Sequence, residues 1–294
     1  MVPAMRPAMA MFNSPASGIL QIVVGTFLTA SMDVIVKYSS ETYSVLQISW
    51  TRFLVQFVVL FILLPPMPAA VLFKSTRPGL QAVRASLMVV MSLSFFTAIH
   101  LIPLADAYAI TFLAPLLITA LSASVLGESV GWRRWTAVIV GGIGVVLVIR
   151  PGMGVMQWGG AVMALLMAFC SAIFHLTTPI LSRTEDPVTT LYYGAFLGTV
   201  VMSISLPFVW VTPSALDWML LIGIGIFGAI GHILVIRAFQ RLPASTVSPF
   251  LYLYLLWATV YGVVFFDEFP DAWVISGGTL IAGAGFYVFR RERR

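Results

Sequence analysis

The sequence predicts an all-α integral membrane protein of ten transmembrane helices arranged as two inverted five-helix repeats. Sixty per cent of its 294 residues are hydrophobic and 9% are charged, whereas about a quarter of a soluble domain is charged. Apolar runs of about 20 residues recur from end to end, each long enough to cross the hydrocarbon core of a bilayer. The stretch from Leu101 to Arg150 is restated from Arg241 to Arg291. Pro103 and Glu128 fall 140 positions before Pro243 and Glu268, and Trp132, Gly142, Gly144 and Arg150 fall 141 before Trp273, Gly283, Gly285 and Arg291. A repeat of that period carried by apolar runs marks a membrane protein of two related halves.

Residues 1–17 hold Arg6 among many Met, Ala and Pro. They lack the h-region and cleavage site of a signal peptide and are expected to stay attached, disordered and cytoplasmic. The first repeat, 18–150, then carries spans at 18–37, 45–64, 80–100, 103–126 and 132–149. The second, 157–290, carries spans at 157–180, 188–211, 216–240, 243–265 and 272–289. Proline punctuates them, because a missing backbone donor costs little between spans. Pro65-Pro66-Met67-Pro68 follows the second span, Pro151-Gly152 the fifth, Asp186-Pro187 the sixth, Pro213 the seventh and Pro270 the ninth, while Pro103 and Pro243 open the fourth and ninth.

Ten spans put both termini on one side, and the basic residues say which. With the termini inside, the inner segments hold thirteen Lys and Arg: Arg6, Lys74, Arg77, Arg84, Arg133, Arg134, Arg183, Arg237, Arg241, Arg290, Arg291, Arg293 and Arg294. The outer segments hold two, Lys37 and Arg150, and Arg52 lies within a span. This is a strong positive-inside bias. Five spans per half is an odd number, so the second half enters from the opposite side and the repeats are inverted. Such halves offer two near-equivalent packings, one open to each side, which is the architecture of alternating access.

The net charge of +5 is explained by this topology. No cluster interleaves basic residues with exposed aromatics as a nucleic-acid surface would. A single cysteine, Cys170, excludes an intramolecular disulfide and a thiolate metal site. No GxxxxGK[ST] loop is present to bind ATP.

The segment 102–151, IPLADAYAITFLAPLLITALSASVLGESVGWRRWTAVIVGGIGVVLVIRP, and the weaker copy from Leu242 to Phe289 resemble the EamA-type repeat of the drug/metabolite transporter superfamily. The marks are the helix-start proline, the glutamate at the helix end and the glycine-bearing fifth helix. The resemblance covers residues 18–290 and implies ten helices, cytoplasmic termini in a bacterial inner membrane and a central cavity between the halves. Within the superfamily, DVIVKY at 33–38, Arg52-Phe53 and FDEFPD at 266–271 are most similar to the S-adenosylmethionine uptake branch. Riboflavin importers and amino-acid or drug exporters are also similar.

A charge inside a membrane costs about 2.5–3.5 kcal/mol on insertion scales and is a functional candidate by default. Asp33 and Lys37 stand one helical turn apart, a spacing that lets them pair, and Arg52 lies at a similar depth. Asp33 either pairs with Lys37 or Arg52, or meets a cationic solute group or a coupling proton while Arg52 holds it poised. Asp106, in the first turn of the fourth helix, complements the helix dipole or serves gating, and Tyr108 follows it. Glu128 and Glu268 end their helices where the dipole disfavours anions. Each therefore needs a cationic or backbone partner at the following turn, Arg133 or Arg134 for Glu128.

His232, in a glycine-rich stretch of the eighth helix, is a packing residue or a proton-coupling group. No second histidine stands at metal-ligand spacing, and neither a metal nor a cofactor is expected. In the ninth helix Tyr252 precedes Tyr254, Trp257 and Tyr261, whose 3–4 spacing puts the last three on one face. That face meets lipid or another helix, or else walls a site for a flat or cationic solute by stacking and cation–π contact. Pro249 breaks this helix as Pro115 breaks the fourth. The glycines of helices 5 and 10 permit close packing, within the fold or across a homodimer.

The predicted function is secondary transport of a small organic metabolite by rocking of the two halves. An intramembrane enzyme has little support, because the acidic cluster Asp267, Glu268 and Asp271 has no second cluster facing it and no serine sits in a G-x-S-x-G elbow. A channel would need a symmetric ring of carbonyls or charges.

Overall fold

A computed structural model describes residues 15–63, 75–125, 131–152, 156–181, 184–242 and 244–291. The expectations for residues 1–14, for Pro65–Pro68, for Pro243 and for Glu128 with its arginine partner lie outside them. The helices are α1 (Pro15–Ser39), α2 (Val45–Leu63), α3 (Pro78–Leu101), α4 in two pieces (Leu104–Thr111 and Ala114–Val125), α5 (Trp132–Ile149), α6 (Trp158–Leu181), α7 (Pro187–Val209) and α8 (Ala215–Arg241). The ninth, α9, is Ala244–Val247, a 3₁₀ turn Ser248–Tyr252 and Leu253–Phe266, and α10 is Ala272–Arg291. Among the described residues seven helices are long and apolar enough to cross a membrane, and shorter apolar stretches at 135–149, 250–266 and 272–287 bring the number to ten. Large side chains such as Phe208 and Ile62, 86% and 72% exposed, face outward where a bilayer supplies the apolar solvent. The first helix begins three residues before the expected position, at Pro15.

Both fourth helices are broken, each for the same reason. A proline ring collides with the carbonyl four residues back and removes one donor. Pro115 stands four residues after Thr111, where the first piece of α4 stops. Pro249 lies in the 3₁₀ turn of α9.

The packing carries the inverted symmetry. The contact of α1 with α8 is repeated by α6 with α3, that of α2 with α8 by α7 with α3, and that of α1 with α9 by α6 with α4. The pairs α2–α7 and α5–α10 each join a helix to its own counterpart. Residue pairs obey the same rule: Phe112 and Tyr252, 140 positions apart, stack with centroids 5.2 Å apart. Only residues near the axis relating two copies can touch their own counterparts, so this stack marks that axis. All five connections within or between pairs of the type α1–α2, including those after α3, α5, α7 and α9, lie at one end, here termed distal; α1 begins and α10 finishes at the other.

Glycine sets two of the crossings. A Cβ on Gly231 of α8 would stand 3.0 Å from the Gly25 carbonyl and 2.5 Å from Thr29 Oγ1 of α1. On Gly144 of α5 it would stand 2.7 Å from the Gly277 carbonyl of α10. Backbone cannot swing aside as a side chain can, so Gly231→Val is expected to cost about 1–3 kcal/mol or more. The check is the thermal unfolding midpoint in detergent; an unchanged midpoint would show that the helices separate freely there.

Candidate functional site

Asp33 and Arg52 lie in the seam between the halves, 1% and 6% exposed. Asp33 stands six residues from the distal end of α1, and Arg52 seven residues past the distal start of α2, so the two sit at similar depth. The Tyr108 hydroxyl of α4 donates to Asp33 Oδ2. Arg52 Nη1 donates to Ser92 Oγ of α3 at 2.7 Å, and its guanidinium lies 5.2 and 5.5 Å from the ring centroids of Phe53 and Phe96. Two atoms in this cluster are buried without a partner, Asp33 Oδ1 and Arg52 Nε.

The second half closes the seam. Tyr254 of α9 stacks on Tyr108, centroids 5.8 Å apart and planes 16° apart, while Phe95 meets the Tyr108 ring edge-on at 5.0 Å. Gly228 of α8 lets that helix approach: a Cβ there would be 2.7 Å from Met32 Sδ and 3.7 Å from Arg52 Nε. His232, one turn on, donates from Nδ1 to the Gly228 carbonyl at 2.6 Å and lies within electrostatic reach of Arg52. The bond orients its ring beside the arginine.

The expected pairing of Asp33 with Lys37 or Arg52 is not what forms. Lys37 pairs with Glu268 and also donates to the Ile102 carbonyl at 3.0 Å. No ion pair within 4.0 Å joins Asp33 to either cation. Intrahelical spacing favours the Asp33–Lys37 contact only weakly, and Glu268 offers Lys37 a partly buried carboxylate. Glu268 finds its cationic and backbone partners elsewhere than the following turn. Its Oε2 accepts from Leu104 N at 3.0 Å, capping α4, so Asp106 supplies first-turn charge but not the cap. Arg84, counted from sequence among the inner segments, lies inside α3, where Nη1 donates to the Phe174 carbonyl of α6 at 3.0 Å.

These ties form a layer one turn of α1 beyond Asp33. Arg150 of α5 pairs with Asp271 before α10. Between the two pairs lies a cavity of ≈ 360 Å³ lined by Asp106, Arg150, Gln157, Glu268 and Asp271 among others. Asp271 also caps α10, accepting from Trp273 N and Val274 N at 3.0 Å. Partial burial pushes its carboxyl up, but the Val274 N–H and Arg150 outweigh this and hold it below the usual carboxylate range. A depressed folded value contributes stability above the unfolded value and loses it as pH falls through the folded one. The gap in unfolding midpoint between the wild type and Asp271→Asn is therefore expected at neutral pH and to close in acid; a gap constant with pH would contradict this.

Of the four candidate aromatic residues of α9, Tyr252, Tyr254, Trp257 and Tyr261, only Tyr254 joins the central cluster. Tyr252 stacks on Phe112 and donates to the Ala282 carbonyl at 2.9 Å. Trp257 meets Phe27 edge-on and reaches Thr26 Oγ1 at 3.3 Å, and the Tyr261 hydroxyl lies 2.7 Å from Ser31 Oγ. The predicted common face exists, but most of it packs on α1. Among the described residues no group of three His, Cys, Asp or Glu is placed to hold a metal ion.

The model of the EamA-like transporter family matches residues 16–150 and again 158–290. An S-adenosylmethionine uptake transporter of Rickettsia prowazekii is 25% identical over 287 residues, 95% of this chain and 94% of that one. The pseudopaline exporter CntI of Pseudomonas aeruginosa is 27% identical over 281 residues, 94% and 97% of the two chains. A riboflavin transporter of Vibrio cholerae is 26% identical over 298 residues, 97% of each. A solved crystal structure superposes with a TM-score of 0.63 over 96% of this chain and 100% of its own, at 17% identity, a likeness of fold.

Proposed function

The chain belongs to the EamA-like transporter family, and from that premise we propose that it is a secondary carrier whose solute site is the seam at Asp33, Arg52, Tyr108 and Tyr254. A charge is kept inside a membrane where it serves solute or ion, and the observation that carries this reading is two opposite charges buried between the halves and not paired with each other. The solute is a small organic metabolite of the S-adenosylmethionine or amino-acid kind. Its cationic group meets Asp33, and its flat part lies against the tyrosines. Rocking of the repeats, 18–150 against 157–290, breaks and remakes the distal ties, with energy from exchange or a proton gradient.

The positive-inside bias places the distal end outside a bacterial inner membrane and both termini in the cytoplasm. The faces of α5 and α10 that carry Gly142 and Gly283, where an added Cβ would meet nothing within 4 Å, are the homodimer surface in this reading. Riboflavin import is the second reading, favoured by the near-parallel Tyr108–Tyr254 stack and by the full-length riboflavin transporter relative.

Counterflow in proteoliposomes tests the carrier. Unlabelled solute loaded inside is expected to accelerate uptake of labelled S-adenosylmethionine, or of riboflavin on the second reading. Uptake of each of these, of amino acids and of quaternary ammonium compounds indifferent to internal solute would contradict exchange transport.

A further inference from the structure

Asp33 and Arg52 are side chains of opposite charge type, an acid and a base, both more than nine-tenths buried, lying in one cluster yet joined by no ion pair within 4.0 Å. Each has one satisfied edge and one free atom. Tyr108 occupies Asp33 Oδ2 and leaves Oδ1; Ser92 occupies Arg52 Nη1 and leaves Nε. Taking such groups out of water is costly unless their remaining lone pairs and protons find partners. Direct contact would supply those partners, but Tyr108 and Ser92 anchor the two side chains on different helices and hold them apart. A third party with both signs of charge satisfies both.

We propose that this pair clasps the head group of an α-amino acid: the solute ammonium donates to Asp33 Oδ1, and the solute carboxylate accepts from the Nε edge of the Arg52 fork. The inference rests on the carrier reading above and names the solute class for that site. A simple cation would satisfy Asp33 and leave Arg52 without an anion, and a simple anion would do the reverse. A zwitterionic head group answers both and itself adds no net charge to the low-dielectric site. Arginine suits the carboxylate half because its planar fork presents parallel donors to two oxygens. The remainder of the solute lies toward Tyr108 and Tyr254, where a ring or a sulfonium is favoured by stacking or cation–π contact. Free amino acids and S-adenosylmethionine share this head group.

Calorimetry on the purified full chain tests the clasp. The probes are S-adenosylmethionine, its decarboxylated and deaminated analogues, the free amino acids, and riboflavin as a flat solute without the head group. In the wild type, removing either charged group from the probe that binds is expected to weaken binding about 10- to 100-fold. In Arg52→Gln, S-adenosylmethionine is expected to lose as much, and decarboxylation should then cost little more; Asp33→Asn should behave in the same way toward deamination. Arg52→Lys, which keeps the charge but not the fork, should fall between. Binding by a free amino acid but not by S-adenosylmethionine upholds the clasp with that source.

The wild-type analogue series needs no variant to fold. Analogues that bind as well as the parent overturn the clasp, as do losses that simply add in the variants. Riboflavin counterflow without any zwitterion binding overturns the clasp and leaves the carrier standing. Counterflow of no probe overturns the carrier, and the clasp with it.

Discussion

Asp33→Asn is expected to abolish counterflow, by at least about 100-fold, while the protein still folds and inserts. Asp33 is 1% exposed and is the carboxylate that accepts from Tyr108 in the seam, and among the described residues no second carboxylate joins that cluster to take the solute cation. The isosteric amide keeps the Tyr108 hydrogen bond in shape and removes only the charge. If Asp33 served only to balance Arg52, its loss would leave a buried arginine uncompensated, at a cost of about 3–5 kcal/mol, and folded yield would fall with transport. The double variant Asp33→Asn/Arg52→Gln separates the cases. It is expected to keep a near-wild-type unfolding midpoint and to remain without transport; a midpoint lost in Asp33→Asn and regained together with transport in the double variant would make the pair structural. Flux in proteoliposomes beside the unfolding midpoint of each variant decides the matter.

Glu268→Gln is expected to have the next largest effect, an opening of the distal end. Glu268 makes two ties at once, to Lys37 and to Leu104 N, so one carboxylate joins α9 to α1 and to the start of α4. The pair is partly buried, side chains 11% and 19% exposed, which places the expected loss at about 1–3 kcal/mol, below the fully buried case. Roughly that free energy shifts a two-state equilibrium 5- to 150-fold. Spin labels on the distal ends of α1 and α9 should report a longer distance in Glu268→Gln, and the exchange Lys37→Glu/Glu268→Lys should recover the shorter one. A distance distribution unchanged in Glu268→Gln would show that other contacts close this end.

The large features of the molecule were legible in the chain because they repeat or run long. The 140-residue offset predicts inverted halves, and applied to Phe112 it points to Tyr252, its stacking counterpart. Pro115 and Pro249 mark the broken helices, and the depth of Asp33 and Arg52 follows from counting residues along α1 and α2. The partners of these charges were not legible. Sequence spacing reveals neighbours three or four residues apart on one helix, and so pairs Lys37 with Asp33. The actual partner, Glu268, is 231 residues away, and its place depends on how α9 ends. There Asp267 turns left-handed, φ 55°, and the Glu268 N–H returns to the Gly262 carbonyl. Ser92 and Gly228 carry no local signal of their roles, since small residues in apolar helices usually serve packing alone.

Alternating exposure of the seam is the claim on which the carrier rests, and thiol accessibility tests it most directly. Cys170 is the only native cysteine, so Cys170→Ser with Ser92→Cys places one thiol beside Arg52. In right-side-out and inside-out vesicles, a membrane-impermeant maleimide is expected to reach that thiol from one face at a time. Adding Glu268→Gln is expected to raise distal labelling and lower labelling from the termini side together. Labelling that rises from both faces at once would describe a continuous pore and contradict alternating access.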